Sequence, residues 1–260
     1  MSHSMGLIFE YQGRVGPAIG ALQDAVKTFR NLGDRSSTMA DSLDDLADAL
    51  AKAGRGAEGA KMIAEAQELA RGLKNDALLA SALNSQGDVF FYQGDLKAAK
   101  SSYEEAVRLG SHTKDKEASL TSRVNLAKVA VADGSARSAA NELRTLTQQA
   151  DSQGLKYLSV ASSVLLAEAM IKNKEYAPAR QELQRDLGKS EKLGLRLESA
   201  RIHYLLATDL RLSGTNSEAA GQYREAERLL ETIGKEPGAE HLSDRYDLKP
   251  IYAEIKQFAQ

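Results

Sequence analysis

A pattern of small and apolar residues recurs along this chain at a step of about 40, and few folds accommodate such a period. Its clearest copy is Leu83–Ala106, two amphipathic halves joined by Gly94-Asp95. Gly87 and Phe90 share one helix face in the first half, and Ala99, Tyr103 and Ala106 share another in the second. One step upstream stand Leu46, Ala47, Leu50, Gly54, Ile63 and Ala66. One step downstream stand Leu126, Ala127, Gly134, Ala139 and Leu143, then Leu166, Ala167, Met170, Ala179 and Leu183. Leu206, Ala207, Leu210, Gly214, Ala219, Tyr223 and Ala226 hold the same phase. So do Phe9, Gly13, Ala18, Leu22 and Ala25 at the N-terminus.

Each copy is too small to bury its own apolar face, so the copies must stack into a shared core. Gly and Ala let paired helices approach closely, while Phe and Tyr fill the space beside them. Small residues and aromatics in this order resemble the tetratricopeptide (TPR) repeat. The resemblance implies an all-α fold, a right-handed α-solenoid of about six helix-turn-helix units with a C-terminal capping helix. HEAT-type units also run near this length and are the rival; TPR packing requires paired helices to meet at the positions of Gly87, Ala99 and Ala106. The units are expected near 6–33, 34–73, 74–113, 114–154, 155–194 and 195–235, within a solenoid spanning 6–235. Residues 1–5 read as a start methionine with a tag remnant. The repeat phase is lost after Gly234. Residues 236–260 read as the cap, with a short helix at Ala239–Arg245 and a last helix opened by Pro250 that presents Ile251, Tyr252, Ile255 and Phe258.

Glycines at the end of each first helix (Gly13, Gly54, Gly94, Gly134, Gly214) suit left-handed caps, with Asn173 expected to serve in the fifth unit. Gly33, Gly72, Gly110, Gly154, Gly194 and Gly234 are expected to end second helices, and Asp34, Asp76 and Asp115 to cap the helices that follow. The first helix starts inside its own pattern. The chain therefore reads as a piece of a longer protein, the alternative being a naturally short first helix. On that reading Leu7, Ile8, Phe9 and Tyr11 lack a covering neighbour, and a homo-dimer through this end is expected. Long units, with LESARIHYLLATDLRLSG and a terminal DRYDLKPIY, resemble the C-terminal TPR regions of large bacterial serine/threonine protein kinases. That resemblance implies a bacterial, cytoplasmic signalling protein with its catalytic domain upstream. The phosphate loop, HRD and DFG motifs of a kinase are absent from this sequence.

The chain has 260 residues and a formal net charge of −2, which gives no general attraction to nucleic acid or anionic membrane. It has no cysteine and no apolar run long enough to span a bilayer, so membrane insertion is not expected. Its 4 histidines form no metal-binding spacing, and His203 falls at a packing position. Asp44, Asp45 and Asp48 lie on a helix with no calcium-type loop around them. No catalytic pair, metal site or cofactor cradle is visible, and the chain is not expected to be an enzyme.

Binding remains. By resemblance to TPR arrays, first helices line a concave groove. The matching positions are Asp41, Asp44 and Asp48, then Asn84, Asp88 and Tyr92, then Lys128, Glu168, Arg201, Tyr204 and Arg211. Such a groove would be acidic toward one end and basic toward the other. Asn84 and Lys128 match the TPR carboxylate clamp only in part. The resulting expectation is a non-catalytic scaffold for an extended peptide or partner domain, inside a larger signalling protein. The alternative is a small-molecule sensor array; a closed pocket with convergent polar groups would favour it.

Overall fold

A computed structural model describes residues 2–113 and 115–259, apart from the side chains of Glu10 and Tyr11. The described residues contain thirteen α-helices, a single-turn 3-10 helix at Leu242–Asp244, and no strand. In order they are α1 (Ser2–Tyr11), α2 (Val15–Asn31), α3 (Ser37–Lys52), α4 (Gly56–Gly72), α5 (Asp76–Gln93), α6 (Leu96–Gly110) and α7 (Lys116–Ala132). There follow α8 (Ala136–Ser152), α9 (Lys156–Lys172), α10 (Tyr176–Leu193), α11 (Arg196–Leu212), α12 (Asn216–Gly234) and α13 (Lys249–Phe258). They form two compact lobes. The first holds residues 1–126 and 235–247, the second 127–234 and 248–260.

Within each lobe the packing follows the repeat. First helices pack on their own second helices, as α3 on α4, α5 on α6 and α11 on α12. Second helices also meet the next first helix, as α4 meets α5 and α8 meets α9, and successive first helices touch, as α3 with α5 and α9 with α11. The small positions explain these approaches. A Cβ on Gly87 would lie 2.5 Å from Tyr103 Cδ1, and one on Gly59 would lie 2.9 Å from the Ala47 carbonyl oxygen. Ala99, Ala106, Ala127 and Ala139 are buried, as are Tyr103, Leu143, Leu183, Tyr223 and Ala226. Helices thus meet at the positions that TPR packing requires.

Several local details differ from the expectations. In the fifth unit the left-handed residue is Lys174 (φ 66°), and Asn173 stays right-handed. The equivalent residue ending α4 is Lys74 (φ 52°); Gly72 and Gly110 remain inside their helices. Glycine would adopt those two conformations with less steric conflict than lysine does. Ser36 and Asn75, each one or two residues from the aspartates expected, accept the amides at the starts of α3 and α5. Asp115 does accept from Ala118 N, at 2.9 Å. Of the short helix expected at Ala239–Arg245, only the 3-10 turn forms.

The chain's ends also differ. Ser2–Met5, set aside in the sequence, are helical, and His3 Nε2 lies 2.5 Å from Asp45 Oδ2. Ile8 and Met5 are exposed, whereas the Phe9 ring carries the Arg14 guanidinium 4.7 Å from its centroid. The Tyr11 side chain lies outside the described residues. The stretch expected as one cap divides between the lobes. Residues 235–247 belong to the first, while α13 packs against α12 in the second.

Candidate interaction surface

In the first lobe, α3 presents Asp41, Asp44, Asp45 and Asp48 within two turns of helix. Asp44 is buried at 7 % exposure. Its Oδ2 accepts from Ser81 Oγ at 2.5 Å, while its Oδ1 has no hydrogen-bond partner. Burial, reinforced by the Asp45 charge, pushes its carboxyl up to about 8. Burial also raises Asp41 and Asp45, the latter against the opposing hydrogen bond of His3. The His3 imidazole is raised in turn by its bond to Asp45. Asp48 forms an ion pair with Lys52 at 2.6 Å.

On α5 the expected residues are tied into the fold. Tyr103 donates to Asp88 Oδ1 at 2.8 Å, and Asn125 Nδ2 lies 3.4 Å from Asp88 Oδ2 and 3.1 Å from Asn84 Oδ1. Asp88 therefore anchors a second helix to a first helix. The Tyr92 ring lies under the Arg245 guanidinium, 3.9 Å from centroid to carbon, and its carbonyl accepts from Tyr246 N at 2.8 Å. Burial pushes the Tyr92 hydroxyl well above its ordinary range.

In the second lobe Lys128 is buried at 7 % exposure. Glu168 pairs with Lys172 at 3.0 Å and with Arg201 at 3.3 Å. Tyr204 and Arg211 both reach Glu254 of α13, at 2.8 and 2.7 Å, and Tyr223 donates to the same carboxylate at 2.6 Å. Burial alone would raise Glu254, but hydrogen bonds from Tyr223, Arg211 and Tyr204 hold it below the usual carboxylate range. Phe258 stacks on Tyr223, ring centroids 6.0 Å apart, and under Arg211 at 4.6 Å. The two arginines expected to form a basic end are thus neutralised internally, by Glu168 and by the cap. On α3, Asp45 meets His3 and Asp48 meets Lys52, while Asp41, Asp45 and Asp48 stay partly exposed and Asp44 is buried.

The sequence reading missed Ser81, Asn125, His3, Asp45 and Glu254 as participants. Ser81 and Asn125 stand on first helices in the repeat register, which could have found them. Glu254 lies beyond the repeat and carries no such signal. His203 is buried at 8 % exposure and its Nδ1 lies 2.7 Å from Gln222 Oε1, a packed position as expected. Among the described residues, no group of three or more His, Asp or Glu is arranged to hold a metal ion, and no helix is long and apolar enough to cross a membrane. A half-open pocket of about 570 Å³ lies among α10, α11 and α12. Leu187, Leu206 and Leu210 line it, with Arg180, Gln184, Glu218 and Gln222. Arg180 is committed there to the buried Asp209 at 2.6 Å and to Ser213 Oγ at 3.0 Å.

Residues 38–110 match the family model described as tetratricopeptide repeat. This span covers α3 to α6, the two helix pairs whose packing was set out above. This stretch of the chain is thus built of tetratricopeptide repeats. The fold of the chain is similar to that of a Rap protein complexed with Competence and Sporulation Factor, at TM-score 0.70 and 10 % identity over 98 % of this chain and 75 % of that one. It is also similar to the Rap conjugation gene regulator of plasmid pLS20 in complex with the Phr* peptide, at TM-score 0.68 and 12 % identity over 100 % and 74 %. A signal transduction ATPase with a tetratricopeptide repeat sensor, from Pyrococcus horikoshii, aligns at TM-score 0.60 and 13 % identity over 99 % and 42 %. No curated protein matches the chain in sequence.

Proposed function

We propose that this TPR chain is a non-catalytic interaction scaffold, and that the α3 face of its first lobe receives an extended, basic peptide segment. The observation that carries this is the Asp41–Asp48 stretch. Four carboxyl groups stand within two helical turns, and those of Asp41, Asp45 and Asp48 are only partly buried. A lysine or arginine of a bound segment would supply donors and the opposite charge to these three. Asp44 is buried and its carboxyl is pushed up to about 8, so it adds no charge near neutral pH. The Phr* peptide complex of the structurally similar Rap conjugation gene regulator supports the class of ligand. The Pyrococcus ATPase supports a place within a longer regulatory chain, as does the kinase resemblance of the last repeats.

The test is fluorescence anisotropy with nine-residue peptides of matched length, one Lys/Arg-rich, one Glu/Asp-rich and one neutral. The basic peptide is expected to bind, more weakly as salt rises. Asp41→Asn with Asp48→Asn should weaken it at least tenfold with unchanged helicity. Equal binding of all three peptides, or indifference to the double substitution, refutes the proposal.

The sensor alternative draws on the pocket among α10, α11 and α12, whose volume suits a small ligand. Its Arg180 is already neutralised by Asp209, which leaves it little charge for a ligand and favours the peptide reading. A metabolite panel read by thermal shift distinguishes the two. A stabilising compound whose effect is lost in Leu206→Trp would support the sensor.

A further inference from the structure

Residues 235–247 form a strap on the first lobe, and its contacts follow the repeat. At Pro237 it meets the first turn of α2, at His241 the turn after α3, and at Tyr246 the turn after α5. Each crossing is at a glycine. A Cβ on Gly16 would overlap the Pro237 carbonyl oxygen and lie 3.1 Å from Glu236 Cβ. One on Gly54 would overlap the His241 carbonyl oxygen, and one on Gly94 would lie 3.0 Å from Tyr246 Cδ2. Gly54 and Gly94 also have φ of 81° and 88°, which independently favours glycine. Gly16 lies in the first turn of α2 just before Pro17, whose ring also crowds a Cβ on the preceding residue.

The downstream end is recognised in more detail. Arg245 is 1 % exposed. Its guanidinium donates from Nη1 to the Lys52 carbonyl at 3.0 Å and stacks on Tyr92, while Asp247 accepts from Nε and Nη2 at 3.0 and 2.7 Å. Tyr246 donates its amide to the Tyr92 carbonyl and sets its ring edge-on to Phe91, centroids 6.1 Å apart. The receiving groups are two backbone carbonyls at helix ends, two aromatic rings and two glycines. Such a surface recognises a segment by its backbone path and by an arginine fork.

We propose that this turn edge of the first lobe is a segment-binding surface in its own right, with the strap as its resident occupant. The partner it fits is an extended protein segment carrying arginine, then an aromatic residue, then an acidic residue two places after the arginine. The surface is distinct from the acidic face of α3, and this inference does not rest on that reading. Tethering gives the strap a high effective concentration, so the intact chain is closed to competitors until the arginine anchor is weakened.

The experiment uses the full chain and a labelled peptide of its own residues 240–248, EHLSDRYDL. The substitution Arg245→Ala removes the anchor and leaves Lys52, Phe91, Tyr92, Gly54 and Gly94 intact. The peptide should bind the Arg245→Ala chain at least tenfold more tightly than wild type. A peptide with its arginine replaced by alanine should lose that affinity, as should the Tyr92→Ala/Arg245→Ala chain. Absence of binding to a folded Arg245→Ala chain, equal binding by both chains, or indifference to the peptide's arginine would overturn the proposal. Should Arg245→Ala fail to fold, the same measurements on Asp247→Asn decide it. A second readout comes from Gly16→Ala, whose added Cβ crowds the strap at Pro237. Trypsin should then cut after Lys235 or Arg245 at least tenfold faster than in wild type, and an unchanged rate counts against a displaceable strap.

Discussion

Gly87→Ala should destabilise the protein, although helix propensity alone says the opposite. Gly87 lies inside α5, where alanine in place of glycine would by itself contribute about 0.8–1.0 kcal/mol of stability. The new Cβ, however, would stand 2.5 Å from Tyr103 Cδ1 and 2.8 Å from Cζ. Tyr103 has no slack to yield: its side chain is fully buried and its hydroxyl donates to Asp88 at 2.8 Å. Overpacking of this kind costs roughly 1–3 kcal/mol, and disturbing a buried bond to a charged acceptor about 1.5–3 more. The net is a loss of roughly 1.5–5 kcal/mol. For a chain of this size each kcal/mol lowers Tm by about 2–4 °C. Gly188→Ala is the control, because that helical glycine in α10 has no atom within 4 Å of the added Cβ. It should raise stability by up to about 1 kcal/mol. Urea and thermal unfolding followed by circular dichroism measure both. If Gly87→Ala is as stable as wild type or more so, the close approach of α5 and α6 is not what requires glycine.

Lys74→Gly and Lys174→Gly should each stabilise by roughly 0.5–1 kcal/mol in urea unfolding, because both lysines hold positive φ at a steric cost that outweighs glycine's extra chain entropy. The Asp44 carboxyl is raised from 3.8 to about 8, so the folded chain binds a proton that the unfolded chain releases. Its contribution is complete below pH 4 and declines up to pH 8, by at most about 1.4 kcal/mol per pH unit, and Asp44→Asn should flatten that slope in unfolding titrations. Glu254 behaves oppositely, since its folded value is lowered. The docking of α13 should be complete above the unfolded value and weaken as pH falls through the folded one, read by hydrogen exchange of α13 amides. Arg211→Ala should weaken the same docking by about 1–3 kcal/mol.

The contrast between Gly54 and Gly16 shows where sequence reasoning reaches and where it stops. Gly54 recurs at the step of the repeat, so its turn could be placed from the sequence, and the structure puts a left-handed residue there. Lys174 holds the same conformation without being glycine, and the register found the position although the residue type pointed to its neighbour. Periodicity therefore carries backbone geometry and the core well, because stacked units face identical neighbours on both sides. Gly16 has no counterpart in the other copies. It packs against Pro237, more than two hundred residues away in a stretch with no repeat phase. Tyr92 and Arg211 show the same limit at the candidate site. Both occupy the positions that line a groove in a repeating array, yet each is covered by residues after Gly234, through Arg245 and Glu254 respectively. A register defined by equivalent units cannot anticipate contacts with a segment that belongs to none of them. What remains as candidate partner surface is the α3 face, with the partly exposed carboxyls of Asp41, Asp45 and Asp48. The strap enlarges that picture, because a surface that holds its own chain by an arginine, an aromatic edge and two carbonyls has already displayed the chemistry of what it binds.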